Sequence, residues 1–232
     1  MNEEDIKNFN TALNLYENNY SHKDLIGMLK NGNTVQKQIS ALKLERITSE
    51  EDAQVLISNL TGQDGKIREA VAFKLKEFMS NPEYLKYFSS IETYDTFVNA
   101  IIDINGNICR NVISAICNLK DNETFCRHFC SKLTQLTLEL AAKVSEFKLQ
   151  DGKYKVNKEV FKLYWCLETL YKFYDKVDMP ILKSILLKTK SINDYTIREK
   201  TAKILTNNFK DDELIKIREE LQKDKNYYVR RF

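Results

Sequence analysis

The chain has 232 residues and a mass of 27.2 kDa, and its 43% hydrophobic and 30% charged residues exclude a disordered or fibrous protein. With only 6 Gly and 2 Pro it lacks the turn residues of hairpins and phosphate-cradling loops, which predicts an all-α fold. The formal net charge of +3 is too close to balance to indicate a nucleic-acid partner by itself. No apolar run reaches the length of a membrane span, and the first residues are acidic, so we expect a cytoplasmic protein without a membrane partner.

The first predicted element is a capping helix from Asp5 to Asn18, within residues 1–20. A junction then recurs along the chain: an apolar helix end, a polar turn, a β-branched residue, and a second amphipathic helix. The β-branched anchors are Val35, Ile67, Ile108, Ile197 and Val229, so successive anchors are 32, 41, 89 and 32 residues apart. A period of about 32 to 44 residues with two helices in each unit is typical of an α-solenoid.

The pattern degenerates between residues 121 and 180, where the junction is lost. Two segments there, Leu133–Phe147 and Val156–Tyr174, still have the apolar spacing of amphipathic helices. The Asp151-Gly152 pair between them predicts a connecting loop. Residues 226–232 begin a last repeat, which is either incomplete or an atypical cap of the stack.

The combination of an apolar helix end, a turn and Asp-x-x-Ile-Arg resembles HEAT repeats. Three segments carry the resemblance: Asp64–Ala70, Asp194–Ala202 and Asp224–Arg231. It implies that residues 1–232 form a single domain, a right-handed α-α superhelix of about six HEAT-like helical pairs. It further implies a non-catalytic scaffold that holds a protein or peptide on the concave face made by the second helices. Gln36 and Cys109 stand where the family often has Arg.

A basic residue follows each anchor and makes a candidate binding ladder along the second helices: Lys37, Arg68, Arg110, Arg198 and Arg230. One interpretation is that these side chains bond to the acids of the turns and tie repeats together, which the nearby Asp residues favour. The other is that the ladder grips an acidic peptide or a phosphate backbone. The residues alone leave both open.

An alternative function uses the second half of the chain, which carries 23 basic and 17 acidic residues. Trp165 and Glu168 are three residues apart, hence on one helix face, where a stacking ring would lie beside a carboxylate. The length and repeats resemble alkylpurine DNA glycosylases, which implies nucleic-acid binding or base repair. Packing of Trp165 in the core is the competing interpretation. The residues of this candidate nucleic-acid patch are Lys155, Lys158, Lys162, Trp165 and Glu168.

The sequence has none of the nucleophile, metalloprotease, P-loop or dinucleotide motifs, so we predict no enzyme activity and no cofactor. The one pattern that invites a metal is Cys126-Arg-His128-Phe-Cys130. On a helix the two Cys share a face and His128 points away, so no metal site and reduced thiols are expected. A third interpretation is self-association through the C-terminal end, which carries Tyr228 and Phe232.

Overall fold

The computed structural model describes residues 3–89, 93–147 and 153–232, with side chains left out for residue 5 and residues 153–156. These residues form fourteen α-helices and no β-strand, which confirms the all-α prediction. Short 3-10 turns follow some of the helices. The helices are α1 Glu3–Glu17, α2 His22–Asn31, α3 Thr34–Lys43, α4 Glu50–Ser58, α5 Gly65–Met79, α6 Pro82–Leu85, α7 Tyr94–Ala100, α8 Gly106–Ile116, α9 Glu123–Ser145, α10 Lys153–Phe173, α11 Met179–Thr189, α12 Tyr195–Ile204, α13 Asp212–Leu221 and α14 Tyr227–Arg230.

The polar turn of each junction forms the N-cap of the following helix. In α5, α8, α12 and α14 the cap side chain accepts a hydrogen bond from the main-chain N–H two residues later, at 2.8 to 2.9 Å. An N-cap satisfies one of the N–H groups that the first helical turn leaves without a partner. The four caps are Asp64, Asn105, Asp194 and Asn226. In α8 and α14 the cap is thus an Asn that lies two residues beyond the Asp of the repeat pattern.

Residues 1–100 and 105–122 form one compact unit. Its second helices, α3, α5 and α8, pack side by side, while α1 packs on α3. The first helices of its pairs, α2 and α4, contact each other, and α7 pairs with α8. Fully buried side chains such as Leu29, Leu56, Leu75 and Phe97 fill the space between the helices. Helix α1 matches the predicted capping helix to within two residues at each end.

Residues 101–104 and 123–232 form the second compact unit. Its second helices, α10, α12 and α14, pack side by side, and α9, α11 and α13 are their first helices. Phe125, Phe129 and Phe173 form a buried ring cluster, with centroids 5.1 Å apart for Phe125 and Phe129 and 5.3 Å for Phe129 and Phe173.

The two units together contain six helical pairs, α2/α3, α4/α5, α7/α8, α9/α10, α11/α12 and α13/α14, which agrees with the predicted number. Within each unit the pairs follow one another as in an α-solenoid. Helix α9 starts at Glu123, ten residues before the predicted helix, because Phe125 and Phe129 extend its buried face. The predicted loop at Asp151-Gly152 lies outside the described residues.

None of the helices in the described ranges combines the length and the apolar character that crossing a bilayer requires.

Candidate functional site

The repeated Arg residues fold back onto the turns that precede them. In three of the five ladder positions the guanidinium donates to main-chain carbonyl oxygens five or six residues earlier in the chain, which satisfies acceptors that the turn leaves open. The pairs are Arg68 with Gln63, Arg198 with Ile192 and Asn193, and Arg230 with Asp224 and Lys225. The same bond pattern thus recurs at three junctions.

Arg198 also joins two successive junctions of the second unit. Its Nε donates to Asp224 Oδ2 at 2.7 Å and its Nη2 donates to Asp224 Oδ1 at 3.2 Å. Arg198 is only 8% exposed. These hydrogen bonds from Arg198 hold the pKa of the Asp224 carboxyl below its ordinary value, although partial burial acts the other way. The guanidinium is therefore committed to contacts within the protein.

The other two ladder residues bond to amides. Lys37 Nζ donates to Asn59 Oδ1 at 3.0 Å, and Arg110 Nη2 donates to Asn107 Oδ1 at 2.6 Å. Arg110 is exposed and lies at a groove on the first unit. A ligand-binding role for the ladder stays a prediction, and Arg110 is the member that borders this groove.

The groove has a volume of about 490 Å³ and is formed by the second helices α3, α5 and α8. Two apolar side chains stand open in it, Leu42 at 42% and Phe73 at 53% exposure. Asn107 Nδ2 donates to Glu69 Oε1 at 3.0 Å, which links the side chains of α8 and α5. The lining residues are Gln38, Leu42, Lys66, Glu69, Ala70, Phe73, Asn107, Arg110 and Asn111. We call this feature the α3–α5–α8 groove.

The α3–α5–α8 groove combines an apolar surface with amides and a few charges. Amide side chains both donate and accept hydrogen bonds, so Gln38 and Asn111 can pair with a peptide backbone. The lining holds no Ser, Cys or His, and so it lacks the usual nucleophile and base of acyl-transfer chemistry.

Sequence reasoning did not single out Leu42 or Phe73. A signal was present at Phe73, because the buried face of α5 runs through Ile67, Val71, Leu75 and Phe78 and Phe73 lies off that face. An apolar residue outside the buried stripe of an amphipathic helix points to solvent or to a partner.

The candidate nucleic-acid patch lies on α10 and is largely engaged with its neighbours. Trp165 is 6% exposed and makes edge contacts with Phe161 and Tyr164, whose ring centroids are 6.0 and 5.3 Å from its own. The ring is thus packed within the protein rather than open to a flipped base. No hydrogen-bond partner for its Nε1 is present among the described residues.

Glu168 is the centre of a second cluster on the same helix. Its carboxylate accepts from Lys200 Nζ at 2.7 Å and from Lys203 Nζ at 2.9 and 3.1 Å. Lys200 also lies 4.3 Å from the ring centre of Tyr164, and Lys203 lies 4.4 Å from that of Tyr171. We call these five residues the Glu168 clamp.

The Glu168 clamp keeps its charged groups ionised. Burial alone would raise the pKa of the Glu168 carboxyl, but the hydrogen bonds from Lys200 and Lys203 outweigh burial and lower the pKa. Burial would likewise lower the pKa of Lys200, but its hydrogen bond to Glu168 prevails and raises it. A catalytic acid needs a pKa raised toward neutrality, so Glu168 has the properties of a structural ion-pair partner.

The remaining lysines of the patch divide into paired and unpaired positions. Lys162 lies 3.5 Å from Glu159 Oε1, and Lys143 lies 3.2 Å from Glu159 Oε2. Lys158 is exposed. The side chain of Lys155 lies outside the described residues. The structure therefore brings Trp165 and Glu168 to one helix but does not assemble the patch into an open basic surface.

Helix α9 carries the Cys-x-His-x-Cys pattern. Cys126 and Cys130 are each 4% exposed and share the buried face, whereas His128 is on the exposed side, as helical geometry predicts. Across the described ranges no three His, Cys, Asp or Glu side chains are grouped to hold a metal ion. On α10, burial raises the pKa of the Cys166 thiol to about 12, although a hydrogen bond with Thr137 acts against this rise.

The C-terminal segment exposes two aromatic rings. Tyr227 and Tyr228 on α14 are 62% and 51% exposed, while Val229 is fully buried and anchors the helix. Tyr228 lies 6.2 Å from the ring of Tyr195 on α12. Self-association through this surface stays a prediction.

No protein-family model matches the chain, and no curated protein matches it. Two solved structures are similar to it. One is an engineered protein solved by the Northeast Structural Genomics Consortium, 14% identical, with a TM-score of 0.48 over 92% of this chain and 93% of that one. The other is a designed armadillo repeat protein, 15% identical, with a TM-score of 0.45 over 91% of this chain and 96% of that one. Because both TM-scores lie below 0.5, the fold assignment rests on the helices of the chain itself.

Proposed function

We propose that the protein is a non-catalytic interaction module that binds a protein or peptide segment in the α3–α5–α8 groove. The observation that carries the proposal is the exposure of Leu42 and Phe73, at 42% and 53%, in one groove on adjacent second helices. Exposed apolar side chains that share a depression are typical of binding surfaces, because a partner removes them from water.

The surroundings of these two side chains favour a peptide as the ligand. A peptide presents a main-chain donor and acceptor at nearly every residue, and each needs a partner when it is buried. Gln38 and Asn111 supply both kinds of group in the groove. Lys66 and Arg110 lie at the same groove and provide positive charge for an acidic side chain of the ligand. We therefore expect a ligand with an apolar anchor residue and a nearby carboxylate.

The alternative of nucleic-acid binding has less support from the side-chain contacts. Lys200 and Lys203 share Glu168, while Lys143 and Lys162 share Glu159. A lysine that already pairs with a carboxylate has less net charge to offer a phosphate backbone. Binding of DNA or RNA remains a prediction, and the experiment below includes it as a separate arm.

The test uses phage-displayed random 16-residue peptides, selected on the wild-type protein and then synthesised with a fluorophore. We expect the selected peptides to bind the Leu42→Ser/Phe73→Ser variant at least 10-fold more weakly, because the apolar contact is lost while the fold stays intact. The matched control is Met179→Ser/Ile215→Ser, which removes two apolar side chains of similar exposure, 42% and 41%, from α11 and α13. Its affinity should equal that of wild type.

Two results would contradict the proposal. One is equal affinity of the selected peptides for wild type and for the groove variant. The other is tight binding of a labelled 20-nucleotide DNA or RNA that weakens steeply with salt while no peptide is selected, which would favour the nucleic-acid function instead.

A further inference from the structure

Helix α1 carries an apolar stripe on its solvent side. Ile6, Phe9, Leu13 and Tyr16 are 43%, 61%, 43% and 75% exposed. They are spaced three, four and three residues apart, which puts all four on one face of the helix. The buried contact of α1 with the protein uses a different face, where Leu15 is only 5% exposed. We call these four residues the α1 stripe.

The helix that presents the α1 stripe is held firmly at its C-terminal end. Lys43 Nζ donates to the carbonyl oxygens of Leu15, Tyr16 and Asn18 at 3.0, 3.0 and 2.7 Å. A cation there satisfies the acceptors that a helix end leaves open and interacts well with the helix dipole. The hydroxyl of Tyr20 adds a hydrogen bond to Asn14 Oδ1 at 3.2 Å. The stripe is therefore displayed on a helix that is fixed against α3.

The spacing of the stripe indicates which kind of surface would cover it. Apolar residues three and four apart form the seam between two helices that pack along their length, where the side chains of one helix fit between those of the other. Four such residues over eleven positions provide three turns of seam. An amphipathic helix is thus the partner that matches the stripe.

The charges of α1 decide between the helices that could pair with it. Glu3, Glu4 and Glu17 lie at its two ends, and Lys7 is its one basic residue. A second copy of α1 would bring acidic ends together in either orientation, and an anionic membrane surface would be repelled. A helix with Lys or Arg beside its apolar stripe would be attracted.

We propose that the α1 stripe is a docking surface for one basic amphipathic helix of another protein. None of its four residues lines the α3–α5–α8 groove, so this interaction is separate from the proposed peptide site. The apolar side chains supply the affinity, and the acidic ends of α1 select the partner by charge.

The probe is a fluorescein-labelled 21-residue peptide of Leu and Lys with Leu at three-four spacing. Two comparison peptides have the same length: one with Glu in place of every Lys, and one with the Leu and Lys order scrambled. Fluorescence anisotropy at 150 mM salt should show binding of the Leu/Lys helix and much weaker binding of both comparison peptides. A Phe9→Ser/Leu13→Ser variant should lose about 30-fold in affinity, the size typical of central interface side chains.

Two further variants separate this proposal from others. Glu3→Lys/Glu4→Lys/Glu17→Lys leaves the stripe intact and should weaken the Leu/Lys peptide about 10-fold while strengthening the Leu/Glu peptide. Leu42→Ser/Phe73→Ser, which tests the proposed groove, should leave the Leu/Lys affinity unchanged. Equal binding of the three peptides, or no effect of Phe9→Ser/Leu13→Ser, would overturn the proposal. A wild-type dimer in sedimentation equilibrium that the same variant abolishes would assign the stripe to a second copy and overturn it as well.

Discussion

The second helices of the two units form the same kind of layer but use it differently. In the first unit, α3, α5 and α8 leave Leu42 and Phe73 open in a groove bordered by amides and a few charges. In the second unit, α10 and α12 fill the corresponding layer with the Glu168 clamp, whose rings, lysines and carboxylate contact one another. A repeated helical pair therefore supplies a scaffold for binding, and the side chains of each repeat determine whether that surface is available.

The ladder residues show the same contrast at a single repeat position. Arg198 in the second unit is buried and bonds to Asp224 and to two carbonyl oxygens. Arg110, at the matching junction of the first unit, is exposed and bonds to the exposed amide of Asn107. One residue type thus has a structural contact set in one unit and borders a groove in the other.

The largest expected difference between the units is in their aromatic side chains. Trp165→Ala should lower the free energy of unfolding by about 4 kcal/mol, because it removes a nearly buried ring and leaves a cavity. Phe73→Ala, at a side chain that is 53% exposed, should lower it by less than about 1 kcal/mol. Urea unfolding followed by circular dichroism measures both values. Equal losses would mean that Phe73 belongs to the core and not to an open groove.

The next difference concerns the two Arg residues. Arg198→Ala should lower the free energy of unfolding by about 3 kcal/mol, because Asp224 stays behind as a partly buried charge without its main partner. Arg110→Ala is the matched control and should change stability by about 0.5 kcal/mol or less, as expected for an exposed position. Chemical denaturation of the two variants side by side makes the comparison. A similar loss for both would contradict the distinction between a structural and a groove-side Arg.

The smallest of these effects concerns Glu168. Glu168→Gln should lower the free energy of unfolding by about 2 kcal/mol at neutral pH, because two lysines lose their shared carboxylate and part of that loss is screened by solvent. Lys30 and Glu51 form an exposed pair 3.7 Å apart that serves as the control, and Glu51→Gln should change little. An effect of the same size at both positions would argue against a special role for the clamp.

The clamp also predicts how stability depends on pH. The folded pKa of Glu168 lies below its ordinary value of 4.5, so the folded state holds the proton less tightly than the unfolded state does. Its contribution is therefore complete above about pH 5 and is lost as the pH falls through the folded pKa. Unfolding midpoints from pH 7 to pH 3 should fall less steeply for Glu168→Gln than for wild type. Parallel curves would contradict the lowered pKa.

The sequence was sufficient for the features that depend on local patterns. The caps Asp64 and Asp194 follow from turn chemistry, and the six helical pairs follow from the spacing of the β-branched anchors. The length of α9 was underestimated because a helix without a recognisable cap near Glu123 gives no local signal of its start. Assignment to the HEAT family stays a prediction.

The candidate site depended on features that one sequence does not display. Whether Trp165 faces a cleft or its neighbours depends on Phe161 and Tyr164, and the spacing alone allowed either. The pairing of Glu168 with Lys200 and Lys203 joins residues more than thirty positions apart, which no helical period reveals. The groove arises in the same way, because Leu42 and Phe73 become neighbours only when α3 and α5 pack together.

The central claim is that the first unit binds a partner through the α3–α5–α8 groove while the corresponding layer of the second unit is occupied by its own side chains. The most direct measurement is a methyl NMR shift map of the wild-type protein titrated with a peptide from the selection above. We expect shifts at the methyl groups of Leu42 and Ala70, and none at those of Leu167 and Ile197 on α10 and α12. Shifts concentrated on α10 and α12, with Leu42 and Ala70 unchanged, would contradict the claim.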